Sequence, residues 1–286
     1  MPTAHVRGID IVYEIIGIDG PWVCLATGGR NPYGEFVALS HKLAKHGFRV
    51  LLHDRRNCGA SEVAIDDAMS EDDHRVEDWH ALKTELGIGE AFMGGSSSGC
   101  RMSLIYAKRH PELVRGLLLM RVTGGPYPAI RLPENYFSQF IRAAEQGGIE
   151  AVCAMDHWRQ CIEARPANRD KLMSMGRDRF IAAMSNWRAD FMKGVDMPAV
   201  GVSAAELGAI RVPTIVVPGN DQIHSEASGR KVASLIPGAQ LHVLPLAPTD
   251  AELVWFPEWS PHYDEMARVF ADFMRLDSAV TPRKTP

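Results

Sequence analysis

An α/β fold with a mostly parallel central sheet and an inserted helical cap is predicted by three observations. Short apolar, β-rich runs alternate with helical patterns from Ile9 to Met120. Residues 127–208 then show helical periodicity without a convincing strand. Strand-like runs return after that block. Strands alternating with helices imply βαβ units, and near-continuous apolar runs are what strands buried on both faces require.

The elements follow in order. Ile9–Ile16 mixes Val, Ile and Tyr and follows Gly8, a hairpin signal. Trp22–Ala26 is an apolar run ending in Thr27-Gly28-Gly29; Arg49–His53 and Ala91-Phe92-Met93 are two more. Between them, Glu35–Lys45 carries Phe36, Leu39 and Leu43 on one helical face, and His74–Leu86 carries Val76, Trp79, Leu82 and Leu86. Ser103–Arg109 reads as a helix stopping before Pro111, and Val114–Met120 as the next strand. The texture changes after Gly124-Gly125-Pro126. A structureless loop as long as the following block is uncommon in a compact domain, so it is read as a helical lid over one edge of the sheet. Strands resume at Val212–Val217 and Leu241–Leu244, before a helix with Met266, Val269, Phe270 and Phe273 on one face. The expected division is a core of 1–126 and 209–276, a cap of 127–208, and a frayed polar tail of 277–286.

Of 286 residues, 46% are hydrophobic and 23% charged, the composition of a globular chain. Lys plus Arg number 31 against 35 Asp plus Glu, a net charge of −4, without the clustered basic excess that nucleic-acid binding needs. The five cysteines, Cys24, Cys58, Cys100, Cys153 and Cys161, lack zinc-site spacing and read as small apolar residues of a reduced, cytoplasmic protein. Neither a signal peptide nor a membrane span is expected. The expected partner is a small-molecule substrate, with no cofactor, metal, nucleic acid or membrane; a homodimer stays open.

The strongest chemical signal is Gly95-Ser96-Ser97-Ser98-Gly99, between the strand at Ala91–Met93 and a helix. A nucleophile at the tip of such a turn has a strained backbone, so its neighbours two residues away must be tiny. Only Ser97 has glycines on both sides at that spacing. The Ser98 N–H then opens a helix and faces a developing oxyanion. Thr27-Gly28-Gly29-Arg30-Asn31, a glycine turn at a strand end, offers backbone N–H groups to an anion, first Gly29 and then Arg30. Asp54-Arg55-Arg56-Asn57-Cys58-Gly59-Ala60-Ser61 is, alone, a polar loop with a tight turn at Gly59.

Together these three segments resemble the α/β-hydrolase superfamily, from about Ile9 to Met120 and again from Val212 to Arg275. Two positions depart from its pattern: Thr27 stands where the family usually has histidine, and Asn57 where it usually has glycine. The resemblance implies a nucleophile, acid, histidine order. Asp221, in Pro218-Gly219-Asn220-Asp221-Gln222-Ile223-His224, matches the acid that holds the histidine tautomer. The usual Gly-His after the last strand is missing. A long stretch, Pro245 to Pro261, leads instead to His262, with Ser260-Pro261 read as N-cap and first position of the last helix. His262 is therefore the expected base and His224 the alternative. His242 reads as structural, His157 as pocket-shaping, and Cys100 as a packed thiol. Arg30 and Trp158 are expected substrate contacts, and Arg30 with Arg56 suits a substrate carboxylate. The implied activity is a cofactor-free serine hydrolase acting on a small or medium, partly apolar ester, lactone or amide. A C–C bond hydrolase of ring-cleavage products, a cofactor-independent dioxygenase and a ligand-binding protein are the alternatives on the same fold.

Overall fold

The apolar runs from Ile9 to Met120 become strands, Val212–Val217 does so from Thr214 onward, and Leu241–Leu244 only at Leu241; the computed structural model shows how they are ordered. It describes the backbone of residues 1–280 and the side chains of 1–276. Strands β1 (Thr3–Val6), β2 (Ile9–Ile16), β3 (Trp22–Ala26), β4 (Arg49–His53), β5 (Ala91–Ser96), β6 (Val114–Met120), β7 (Thr214–Val217) and β8 (Gln240–Leu241) form one sheet in the order β1-β2-β4-β3-β5-β6-β7-β8. The β1–β2 and β2–β4 pairs are antiparallel and all the others parallel. Every residue of β5 and β7 is buried, as strands covered on both faces must be.

Helices cover both faces. Helix α1 (Val37–Lys45) and the last helix pack on one side, where Phe36, Leu39, Leu43, Phe270 and Met274 meet Val50, Leu52 and Leu118. Helices α2 (Glu71–Glu85) and α3 (Ser98–Arg109) cover the other, where Trp79, Leu82 and Leu104 meet Leu51, Met93 and Leu117. Between β6 and β7 the chain is helical: α4 (Pro126–Pro133), α5 (Gln139–Ala154), α6 (Asp156–Ala164), α7 (Ala167–Met175), α8 (Arg177–Met192) and α9 (Ala204–Ala209), with one isolated bridge, Ala199–Val202. This segment has an apolar core of its own around Phe137, Phe140, Trp158, Phe180 and Trp187. Helix α10 (Glu226–Leu235) links β7 to β8, and α11 (Tyr263–Val280) closes the fold.

Several boundaries differ from the sequence expectation for identifiable reasons. Strand β1 carries too short an apolar pattern to stand out, and pairs with β2 through the Arg7-Gly8 turn, where both residues have positive φ. Strand β8 is only two residues long and exposed, because Pro245 and the irregular chain after it carry no ladder beyond the His242 N–H to Val216. His262 ends a 3₁₀ helix, Phe256–His262, rather than starting α11. Of the expected tail, residues 277–280 continue α11 and 281–286 lie outside the described residues.

The connection from β5 to α3 sets the site. Ser97 takes φ 56° and ψ −115° between them. A Cβ at Gly95 or Gly99 would drive into the Ala26 carbonyl of β3, so both positions require glycine for the turn to sit against the sheet. Gly99→Ala should therefore lower the urea midpoint by an amount equivalent to more than about 2 kcal/mol. A midpoint unchanged from wild type would contradict this packing.

Candidate active site

The Ser97 backbone is pinned from β6: its N–H lies 3.2 Å from the carbonyl oxygens of both Met120 and Arg121. Its Oγ is 3.0 Å from Thr123 Oγ1. Ser98 is the first residue of α3, so its N–H is among the unpaired donors at a helix start. The Cys100 thiol, fully buried, sits against the carbonyls of Gly95 and Met120, and burial pushes it up to about 12. It is a packed thiol under the elbow.

The glycine turn after β3 lies directly against Ser97. A Cβ on Gly28 would be 3.0 Å from Ser97 Cβ, and Gly29 takes φ 50°. Thr27, in the family's histidine position, ties the turn internally through Oγ1 to the Asn31 carbonyl at 2.8 Å. Arg55 ties it externally, donating to the carbonyls of Gly28 (3.1 Å) and Gly29 (3.0 Å) and to Ser98 Oγ (2.9 Å). Asn57 holds φ 63°, a conformation asparagine tolerates better than most residues, and its amide side chain braces Ala64 at both N–H and carbonyl.

Asp221 and His224 sit together after β7. His224 Nδ1 is 2.9 Å from Asp221 Oδ1, which also accepts the His224 N–H. Asp221 Oδ2 accepts from the Val254 N–H and from Arg121. Arg121, the residue after β6, takes φ 53° and donates to the Val254 carbonyl as well, with its Nη2 3.2 Å from His224 Nδ1. Burial opposes ionisation of Asp221. The His224 hydrogen bond and charge, the Val254 N–H and Arg121 outweigh it and hold the carboxyl well below its usual range. Burial pushes His224 down to about 4 against the pull of Asp221, so the imidazole is neutral near pH 7. The partners assign its proton to Nδ1, facing the carboxylate. That leaves Nε2 as an acceptor, and it is buried without a hydrogen-bond partner.

A cavity of about 180 Å³ joins these groups. Its lining includes Gly28, Gly29, Arg30, Ser97, Arg121 and His224, with Leu132, Ile223, Leu253, Val254, Trp255 and Phe256 supplying apolar walls. Glu35 also lines it, its carboxyl raised by burial against the Asn31 hydrogen bond and the charges of Arg121 and Arg55.

The expected residues thus divide. The structure brings Ser97, Gly29, Arg30 and His224 to one cavity, with Ser98 at its elbow and Asp221 behind the imidazole. It does not bring His262 there. Phe256 and Trp259 are the buried anchors of the long loop, and His262 lies half-buried three residues beyond Trp259. The loop segment beside Asp221 is Val254 instead. Trp158 is fully buried in the cap core against Phe140 and Phe180, so it does not line the cavity. Arg30 is committed to Glu71 at 2.6 Å and to the Tyr136 carbonyl, beneath the cap aromatics. Arg56 is bound by both oxygens of Asp78. Neither arginine is left free for a substrate carboxylate. His242 pairs with Glu265, and His157 packs on Phe140 and Trp158. Arg55, Arg121 and Thr123 carry no sequence motif that gives them a part in the site. Their contacts, between residues up to 133 positions apart, arise only on folding.

The chain matches the family described as alpha/beta hydrolase fold over residues 21–248, and it belongs to that family. It is 27% identical over 235 residues to a proline iminopeptidase of Neisseria gonorrhoeae, covering 69% of this chain and 73% of that protein. The enol-lactonase of Burkholderia xenovorans LB400 superposes with a TM-score of 0.65 at 22% identity, over 96% of this chain and all of that one. A meta-cleavage product hydrolase of Pseudomonas fluorescens IP01 gives 0.64 at 18% identity, over 96% and 98%. Among the described residues, no helix is long and apolar enough to cross a membrane, and no group of three His, Cys, Asp or Glu is placed to hold a metal ion.

The neutral, buried His224 has a consequence for stability. Its folded-state pKa, about 4, lies below the value near 6.5 of an unfolded histidine, so the unfolded chain takes up the proton first. The associated stability is complete above pH 6.5 and is lost as pH falls toward 4, by about 1.4 kcal/mol per pH unit. Urea unfolding followed across this range should show a shallower loss for His224→Asn than for wild type. Equal slopes would contradict a neutral buried imidazole.

Proposed function

We propose that the protein is a cofactor-free serine hydrolase in which Ser97 is the nucleophile, His224 the general base and Asp221 its orienting acid. The observation that carries this reading is the His224 Nε2 atom, buried, unpartnered and on the same cavity as Ser97, with Nδ1 held by Asp221. Ser97 Oγ, bonded to Thr123 in the resting site, must leave that bond and give its proton to Nε2 across the shared cavity for the base to act. Oγ then attacks the substrate carbonyl. The Gly29 and Ser98 N–H groups receive the oxyanion, each donor worth about 3 kcal/mol. The imidazolium returns the proton to the leaving group, and a water activated by Nε2 releases the acyl group.

The small, partly apolar cavity suits a small or medium ester, lactone or amide. Relatives named proline iminopeptidase and enol-lactonase support hydrolysis of an acyl bond, and leave the leaving group to experiment. The carboxyl group of Glu35 and the guanidinium of Arg121 both line the cavity.

The test uses p-nitrophenyl acetate turnover and a fluorophosphonate probe. Ser97→Ala should abolish both turnover and labelling. His224→Ala should lower kcat by at least ~10³-fold, whereas His262→Ala should stay within about threefold of wild type. Because the His224 pKa is depressed to about 4, the acid limb of kcat/KM should fall near that value rather than near 6.5. Loss of activity in the His262 variant with retention in the His224 variant would overturn the assignment.

A further inference from the structure

Arg55 is a charged residue for which the scheme above has no use. It is 1% exposed, yet none of its hydrogen bonds goes to a carboxylate among the described residues. Its Nη2 atom donates to the carbonyls of Gly28 and Gly29 and lies 3.4 Å from Thr27 Oγ1; Nη1 donates to Ser98 Oγ and lies 3.9 Å from Met102 Sδ; Nε has no partner. The other buried arginines near the turn each face a carboxylate: Arg30 and Arg75 share Glu71, Arg101 takes Asp72, and Arg56 takes Asp78. A guanidinium stays protonated in a protein, and burying one without a carboxylate is costly.

The atoms it binds explain the placement. The carbonyl of Gly28 belongs to the same peptide unit as the Gly29 N–H, and the carbonyl of Gly29 to the same unit as the Arg30 N–H. The first of these, the Gly29 N–H, is the donor that the turn contributes in the proposed mechanism. A cation hydrogen-bonded to a peptide carbonyl polarises that unit and strengthens its N–H as a donor. The same guanidinium reaches Ser98 Oγ, which itself donates to the Gly29 carbonyl at 3.1 Å. One side chain thus ties the glycine turn to the helix that carries the Ser98 N–H.

We infer that Arg55 is a positioning residue of the oxyanion hole, polarising the Gly29 N–H and fixing it, together with the start of α3 that carries the Ser98 N–H, for the negative charge that develops beside Ser97. The inference rests on the Ser97 reading above. A neutral carbonyl in the ground state gains little from this field, while the tetrahedral oxyanion gains much. The effect therefore belongs to kcat and leaves KM nearly alone.

The experiment compares wild type, Arg55→Lys and Arg55→Met as folded proteins. It measures kcat and KM on p-nitrophenyl acetate, and inhibition by phenylboronic acid, whose boron takes the Ser97 oxygen to form a tetrahedral anion. Arg55→Met should lower kcat by ~100-fold and weaken phenylboronic acid by a similar factor, with KM within about threefold. Arg55→Lys, which keeps the charge and loses the fork, should fall between that variant and wild type. If Arg55→Met does not fold, Arg55→Lys decides: about a tenfold fall in kcat at unchanged KM supports the role. Wild-type kcat and phenylboronic acid affinity in the folded variants would overturn it, as would a loss carried by KM. A wild-type protein that fluorophosphonate does not label at Ser97 would instead overturn the parent reading, and this role with it.

Discussion

The site depends on the contact between the elbow and strand β3. Gly95 and Gly99 bring the turn so close to the Ala26 carbonyl that no side chain fits between them, and this closeness holds Ser97 at φ 56°. A residue other than glycine resists that region by roughly a kilocalorie or more, so the conformation persists only because the surroundings fix it. The surroundings here are the parallel strands on either side. Strand β3 supplies the carbonyl that excludes Cβ atoms, and the end of β6 accepts the Ser97 N–H. The strain is local, while the restraint is spread over the middle of the sheet.

From that contact the rest of the site follows by short steps. Strand β3 ends beside β5, so its glycine turn falls against Ser97. Strand β7 lies beyond β6, so the loop after it delivers Asp221 and His224 to the same edge. Arg121, the residue after β6, joins the two halves by binding Asp221 and the Val254 carbonyl. The cap closes the cavity through Leu132, Asn135 and Tyr136. Arg30 anchors the cap, through the Tyr136 carbonyl, to the residue next to the oxyanion turn.

What could be read from the sequence was what local sterics dictate. Glycines two residues either side of Ser97, between an apolar run and a helix, identify the elbow because few other backbones need that spacing. The βαβ alternation identifies the sheet for a similar reason: strands buried on both faces tolerate almost nothing polar. The histidine was not legible in the same way. The chain from Leu246 to Trp255 has no periodicity, and its course is fixed by distant partners, with Phe256 and Trp259 in the core and the Val254 N–H on Asp221. Sequence order favoured His262, whereas only the folded loop shows His224 turned back onto Asp221 three residues away. Arg55 and Arg121 were hidden too, since nothing local separates a buried arginine from a solvated one in a polar loop.

In the proposed mechanism the oxygen anion of a Ser97 adduct sits between the Gly29 turn and the start of α3. A crystal structure of the protein after reaction with a small fluorophosphonate tests it directly. A single adduct is expected on Ser97 Oγ, its phosphoryl oxygen about 2.7–3.1 Å from the N–H groups of Gly29 and Ser98. An adduct on another residue, or a phosphoryl oxygen turned away from both N–H groups, would contradict it.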